Sequence, residues 1–157
     1  MLLLNNLQQL CIKKGVSVAV AESCTAGLIS LELTTFSGSS SFFKGGVVAY
    51  QNKVKTKILG VSQSIINERT EVSAEVVRQM AQSVLEKFDA DFSIATSGYA
   101  GPNGGTIKNP IGTVFIAIAS AAGVAASRFI FSGNRQSVVN QASKTALNLL
   151  YVEVKKQ

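Results

Sequence analysis

Short, unbroken apolar runs, set between stretches of helical periodicity, decide which architectures are open to this chain. Residues 16–21 form an apolar run rich in β-branched side chains and read as a buried strand. The stretches 46–50, 92–96, 113–119 and 126–131 read the same way, so about five strands are expected. Between them lie helical patterns. Residues 3–14 place Leu3, Leu7, Leu10 and Cys11 on one face, with Gly15 where a C-terminal cap belongs. The chain turns at 23–25 into a helix running through Leu33, and 52–59 is a short helix stopped by Gly60. In 73–88, Ser73 caps a helix whose Val76, Val77, Met80, Ala81, Val84, Leu85 and Phe88 share a face. A last helix spans 136–151, with Val138, Ala142, Ala146 and Leu149 inward. Helices alternating with continuous apolar strands imply an α/β fold, a three-layer α/β/α sandwich around a mostly parallel or mixed sheet.

No linker, repeat or low-complexity tract divides the 157 residues, so 1–157 is expected to be a single domain. No apolar run reaches the ~18 residues a membrane span needs. Leu2-Leu3-Leu4 runs at once into Asn5-Asn6, too short for a signal-peptide core. The chain reads as soluble and unexported, and its expected location is cytoplasmic. With no histidine and only Cys11 and Cys24, neither a Cys/His zinc site nor a disulfide framework can be assembled. No metal is expected.

The net charge of +6 fits a solvated surface or an anionic ligand. The basic residues are dispersed apart from Lys53, Lys55 and Lys57, and aromatics do not interleave with them. A small phosphorylated ligand is therefore favoured over nucleic acid. A nucleic-acid-binding domain remains an alternative suggested by charge alone, and it predicts steeply salt-dependent binding.

In sheets of this type ligands bind beyond the carboxyl ends of the strands. Three polar segments should emerge there: 22–25, 50–55 and 97–113. The absence of histidine removes a Ser-His-Asp triad, so a hydroxyl nucleophile needs another base, and a neutral lysine can serve. Burial or like charge must first lower its pKa, and Lys53 and Lys57 could supply like-charge pressure on Lys55. Residues two apart on a helix point in different directions, so Lys55 could face the site while its neighbours face solvent. Ser23, at a strand-to-helix junction, fits either an exposed nucleophile or a helix N-cap, with the N–H groups of Cys24 and Thr25 beside it to hold negative charge. Cys24 itself reads as a small packing residue. Tyr50 fits either a surface aromatic or a donor that orients the serine–lysine pair. The segment 98–106 holds four glycines in nine residues, fitting a phosphate or sugar cradle or a flexible crossover loop. It is not a Walker loop, because no Gly-Lys-Ser/Thr follows.

Several separated blocks resemble one family. Ala21-Glu22-Ser23-Cys24-Thr25-Ala26-Gly27 resembles the AESCTGG signature of the CinA C-terminal domain family. Gly38-Ser39-Ser40, Phe43, Gly45-Gly46-Val47-Val48-Ala49-Tyr50, Asn52, Lys55 and Leu59-Gly60-Val61 are similar to its next block, and Val72-Ser73 to the one after. Gly98-Tyr99-Ala100-Gly101-Pro102-Asn103-Gly104-Gly105-Thr106 and Pro110-Ile111-Gly112-Thr113-Val114 resemble its GxAGPxGGT…KPVGTV block. Ala26 replaces the first glycine of the usual pair, Tyr99 the usual isoleucine, and Asn109 the lysine before Pro110.

The resemblance implies a stand-alone nicotinamide-nucleotide amidase that hydrolyses nicotinamide mononucleotide to nicotinate mononucleotide and ammonia, in pyridine nucleotide salvage. It places the nucleophile on Ser23, the base on Lys55 and an assisting tyrosine on Tyr50. It implies no cofactor, and a homo-oligomer. The residues expected to bind the nucleotide are Glu22, Cys24, Thr25, Ser39, Ser40, Gly101, Asn103, Gly105, Thr106 and Arg135. Neither a membrane nor a nucleic acid is an expected partner. The alternative within this fold is a non-catalytic nucleotide-binding module that regulates a partner.

Overall fold

A computed structural model describes residues 1–157. Helix α1 (Leu2–Lys14) leads into strand β1 (Val18–Glu22), helix α2 (Leu28–Leu33), a 3₁₀ turn (Ser39–Ser41) and β2 (Phe43–Val48). Three helices follow, α3 (Asn52–Lys57), α4 (Gln63–Arg69) and α5 (Ala74–Lys87), then β3 (Phe92–Gly98), β4 (Thr113–Ser120), β5 (Gly123–Ile130) and α6 (Arg135–Lys156). The sheet has five strands in the order β2-β1-β3-β4-β5. The first three are parallel and the last two antiparallel, which makes it mixed.

The two faces differ in residue size. Val18, Val20, Ile94, Val114, Ile116 and Ile118 meet α1, α2 and α6 through Leu7, Cys11, Ile29, Val138, Leu147 and Leu150. On the other face, Ala19, Ala21, Ala95, Ala117 and Ala119 meet α5 through Val76, Val77, Met80, Ala81 and Val84. The period of two that puts side chains on opposite faces thus separates large from small along β1, and along β4 with the exception of Phe115, which joins the alanine face. Both faces are covered, so every residue of β1 is buried.

Two boundaries and one whole helix stand out against the expectations. Helix α2 begins at Leu28 rather than Thr25, because 23–26 is spent on a turn. Strand β2 starts at Phe43, which pairs with Val18 in the parallel ladder. The polar helix α4 carries no apolar stripe and buries only Ile66, so periodicity does not reveal it. Ser73 does cap α5, accepting from the Val76 N–H at 3.3 Å. No helix is long and apolar enough to cross a membrane.

The turn after β1 contains a strained residue. Ala26 has φ of 49°, in the left-handed region, and is exposed. An L-residue there costs ~1–2 kcal/mol, whereas glycine does not. Ala26→Gly is therefore expected to stabilise the fold by about 1 kcal/mol, after allowing for the larger chain entropy of unfolded glycine. Thermal melts should show Tm rising by ~2–4 °C. An unchanged or lower Tm would show that the turn imposes no such strain.

Candidate active site

From β1 the chain turns one way to β2, and from β2 it crosses back over β1 to β3. Helix α2 follows β1 on one face, while α5 precedes β3 on the other. Connections that leave a strand in opposite directions open a crevice at its carboxyl end. Ser23 stands there, directly after β1, and its N–H donates to the Thr96 carbonyl of β3 at 3.0 Å.

Lys55 reaches the same point from α3. It is 1% exposed, whereas Lys53 and Lys57 on the same helix are exposed. Its Nζ lies 3.1 Å from Ser23 Oγ and 3.4 Å from the Tyr50 carbonyl. It forms no ion pair, the single one being Lys156–Glu153. Burial pushes the Lys55 pKa below the ordinary lysine value of 10.5, with the carboxylate of Glu71 acting in the opposite direction. The like-charge pressure suggested for Lys53 and Lys57 is not the cause; removal from water is.

The backbone N–H groups of Cys24 and Thr25 donate to no other residue of the chain. They stand beside the Ser23 hydroxyl as ready donors. The Cys24 thiol is buried, and loss of water pushes its pKa up to about 12, so it carries no thiolate at neutral pH. A cavity of about 210 Å³ opens over these groups, lined among others by Ser23, Cys24, Tyr50, Lys55, Glu71, Tyr99, Asn103 and Arg135. Arg135, in the first turn of α6, spans its rim. One guanidinium nitrogen donates to the Gly101 carbonyl at 2.8 Å and another to the Tyr50 hydroxyl at 2.6 Å. The Tyr50 hydroxyl thus turns to Arg135, while its carbonyl faces Lys55.

Other expected residues lie elsewhere. Glu22 is wholly buried and does not line this cavity. Its carboxylate accepts from the N–H groups of Gly27, Ile29 and Ser30 and from the Ser30 hydroxyl, all at 2.7–3.0 Å. The free N–H groups at the start of α2 are thereby satisfied by Glu22, not by a ligand. Thr25 is buried, its hydroxyl 2.9 Å from that of Thr96. Ser39 and Ser40 precede β2, which begins opposite the start of β1. They therefore sit at the amino ends of the parallel strands, across the sheet from Ser23. Gly101 and Gly105 serve the loop's own packing: both have positive φ, and a Cβ would lie 2.7 Å from Ile111 Cγ2 and 2.9 Å from Ile111 N respectively. Thr106 lines a separate hollow of about 460 Å³ with Arg69, Lys108 and Arg128, larger but without the serine–lysine pair.

Sequence reasoning did not single out Glu71. It immediately precedes Val72 and the cap of α5, the helix that crosses from β2 back to β3. The segment entering such a crossover helix must lie at the carboxyl ends of the parallel strands, and that rule was the available signal.

The CinA C-terminal domain model matches residues 2–154. The chain belongs to the CinA C-terminal domain family. A CinA-like protein of Flavobacterium psychrophilum is 43% identical over 150 residues, covering 96% of this chain and 36% of that protein. A CinA-like protein of Fervidobacterium nodosum is 44% identical over 142 residues, covering 90% and 35%. This chain thus spans about a third of the length of those curated relatives. Among solved structures, a competence-damaged protein (CinA) superfamily protein from Enterobacter cloacae superposes with a TM-score of 0.92 at 37% identity, covering 97% of this chain and 90% of that one. A CinA superfamily protein from Klebsiella pneumoniae gives 0.94 at 31% identity, covering 99% and 97%. The five-stranded mixed sheet is thus shared with solved CinA structures.

Proposed function

We propose that this CinA-family chain is an amidase that hydrolyses the carboxamide of nicotinamide mononucleotide, releasing ammonia and nicotinate mononucleotide. The observation that carries this reading is the buried, unpaired Lys55 amine 3.1 Å from the Ser23 hydroxyl. A primary amine kept out of water favours its neutral form. In that form the contact reverses: the hydroxyl donates and Nζ accepts. Lys55 takes the proton as Ser23 Oγ bonds to the carboxamide carbon, and the electron pair of the C=O moves onto oxygen. The unpartnered N–H groups of Cys24 and Thr25 suit that developing charge; one such donor is typically worth ~10²–10³ in rate. As the C–N bond breaks, the proton on Lys55 passes to the departing nitrogen and ammonia leaves. Water, deprotonated by Lys55, then cleaves the acyl ester and restores Ser23. Positioned proton transfer of this kind contributes ~10²–10⁴.

The cavity is small for a whole nucleotide and suits the pyridine ring with its amide, leaving ribose and phosphate toward Asn103 and the Arg135 guanidinium at the rim. The test is ammonia release from nicotinamide mononucleotide, with nicotinate mononucleotide followed in parallel. Stoichiometric appearance of both is expected. Tight binding without ammonia would replace this reading with the non-catalytic nucleotide-binding module.

A further inference from the structure

We propose that Glu71 sets the charge selectivity of the cavity, its carboxylate facing the cationic ring of an N-substituted pyridinium carboxamide. This rests on the amidase reading and names what its site prefers. The cavity lining contains three charged side chains: Lys55, Arg135 and Glu71. Lys55 faces the nucleophile and Arg135 spans the rim, so Glu71 is the single negative group a bound molecule meets. The other nearby carboxylate, Glu22, is consumed by its four bonds at the start of α2. Glu71 takes part in no ion pair.

Its backbone is fixed on both sides. The Ser97 hydroxyl donates to the Glu71 carbonyl at 2.7 Å, and the Asn109 side-chain amide to the Val72 carbonyl at 3.3 Å. Thr70 before it has φ 67° and ψ 167°, a region otherwise almost confined to glycine. A β-branched residue persists there only when its surroundings over-determine the backbone. The Tyr99 hydroxyl lies beside Thr70 and Glu71, and burial raises its pKa, so it stays a neutral donor next to the carboxylate. The carboxylate is therefore presented by a rigid strap, not by a loose loop.

A ligand with a positive ring and an anionic tail matches this order of charges, carboxylate inside and guanidinium at the rim. A neutral ring gains nothing from Glu71. Pairing Glu71 with a substrate cation also removes the influence that most favours the ammonium form of Lys55. The cationic substrate would thereby promote the neutral amine that its own hydrolysis requires.

The test compares nicotinamide mononucleotide with its 1,4-dihydro form, which keeps the amide, ribose and phosphate but lacks the ring charge. Calorimetric binding is measured in the Ser23→Ala background, so turnover does not intervene, with and without Glu71→Gln. The Gln variant should bind the cationic form at least about tenfold more weakly, ~1.4 kcal/mol, and the dihydro form within about twofold of its parent. Glu71→Asp, which keeps the charge, should retain an intermediate preference. Equal changes for both ligands, no change for either, or no binding of either would overturn the proposal. Ammonia release by the unsubstituted chain is read separately. An active amidase without charge discrimination refutes Glu71 alone, and discrimination without ammonia refutes the reaction alone.

Discussion

Ser23→Ala should reduce ammonia release from nicotinamide mononucleotide by at least about 10³-fold while leaving the fold in place. Loss of a nucleophile commonly costs more than that, and what survives comes from the remaining electrostatics and binding. The hydroxyl sits 3.1 Å from Lys55 Nζ, and the buried Cys24 thiol beside it, with its pKa near 12, is a poor substitute. The structural cost should be small. One hydrogen bond to the amine is lost, worth ~1 kcal/mol, and the Tyr50 carbonyl at 3.4 Å remains as an acceptor. Circular dichroism melts give the fold control, and steady-state ammonia release gives the activity. A rate within tenfold of the unsubstituted protein would remove Ser23 as the nucleophile.

Lys55→Met should reduce the same rate by ~10²–10⁴ and, unlike most changes in a core, raise stability. Methionine fills a similar volume without a charge to bury. Removing a charge that burial disfavours relieves its desolvation cost. The pH dependence follows from the direction of the shift. The folded-state pKa of Lys55 lies below its unfolded value, so the unfolded chain binds the proton more tightly. The protein is penalised in full at any pH below the folded pKa, and the penalty fades as pH rises from there toward the ordinary 10.5. The advantage of the Met variant should therefore be greatest at acid pH, below the folded pKa of Lys55, and shrink as pH rises from there toward 10.5. Paired denaturant titrations at several pH values measure it. A variant equally destabilised at every pH would mean that the amine is not held against its solvation preference. Unchanged ammonia release would remove it as the base.

The architecture was largely legible because unbroken runs such as 92–96 and 113–119 are what a strand covered on both faces requires. Legibility failed where position depends on strand order, which no local pattern encodes. Ser39 and Ser40 look as polar and as available as Ser23, but the parallel register of β2 with β1 sends them to the wrong end of the sheet. Glu22 reads as a charged neighbour of Ser23. Its burial is explained only by the N–H groups of a helix that starts later than expected. Lys55 itself could not be separated from Lys53 and Lys57 by composition; the family resemblance pointed to it, and the packing of α3 shows which of the three is enclosed. Glu71 was passed over because a lone acid before a helix cap is ordinary. The alternation of Val and Ala in 18–21 was visible throughout, and it tells which face receives the closer-lying helix.

The bracing of Glu22 has a consequence for how the site meets a ligand. The residue next to Ser23 is tied by its side chain to the first turn of α2 and, through its carbonyl, to the Ala49 N–H at 2.7 Å, one residue before Tyr50. Its own backbone pairs with Thr96. Shifting the serine would therefore disturb two strands and a helix together. Such a scaffold leaves little backbone reorganisation to be met at Ser23 when a ligand binds. A ligand entering this crevice would meet a standing mould, with no slow rearrangement of its floor.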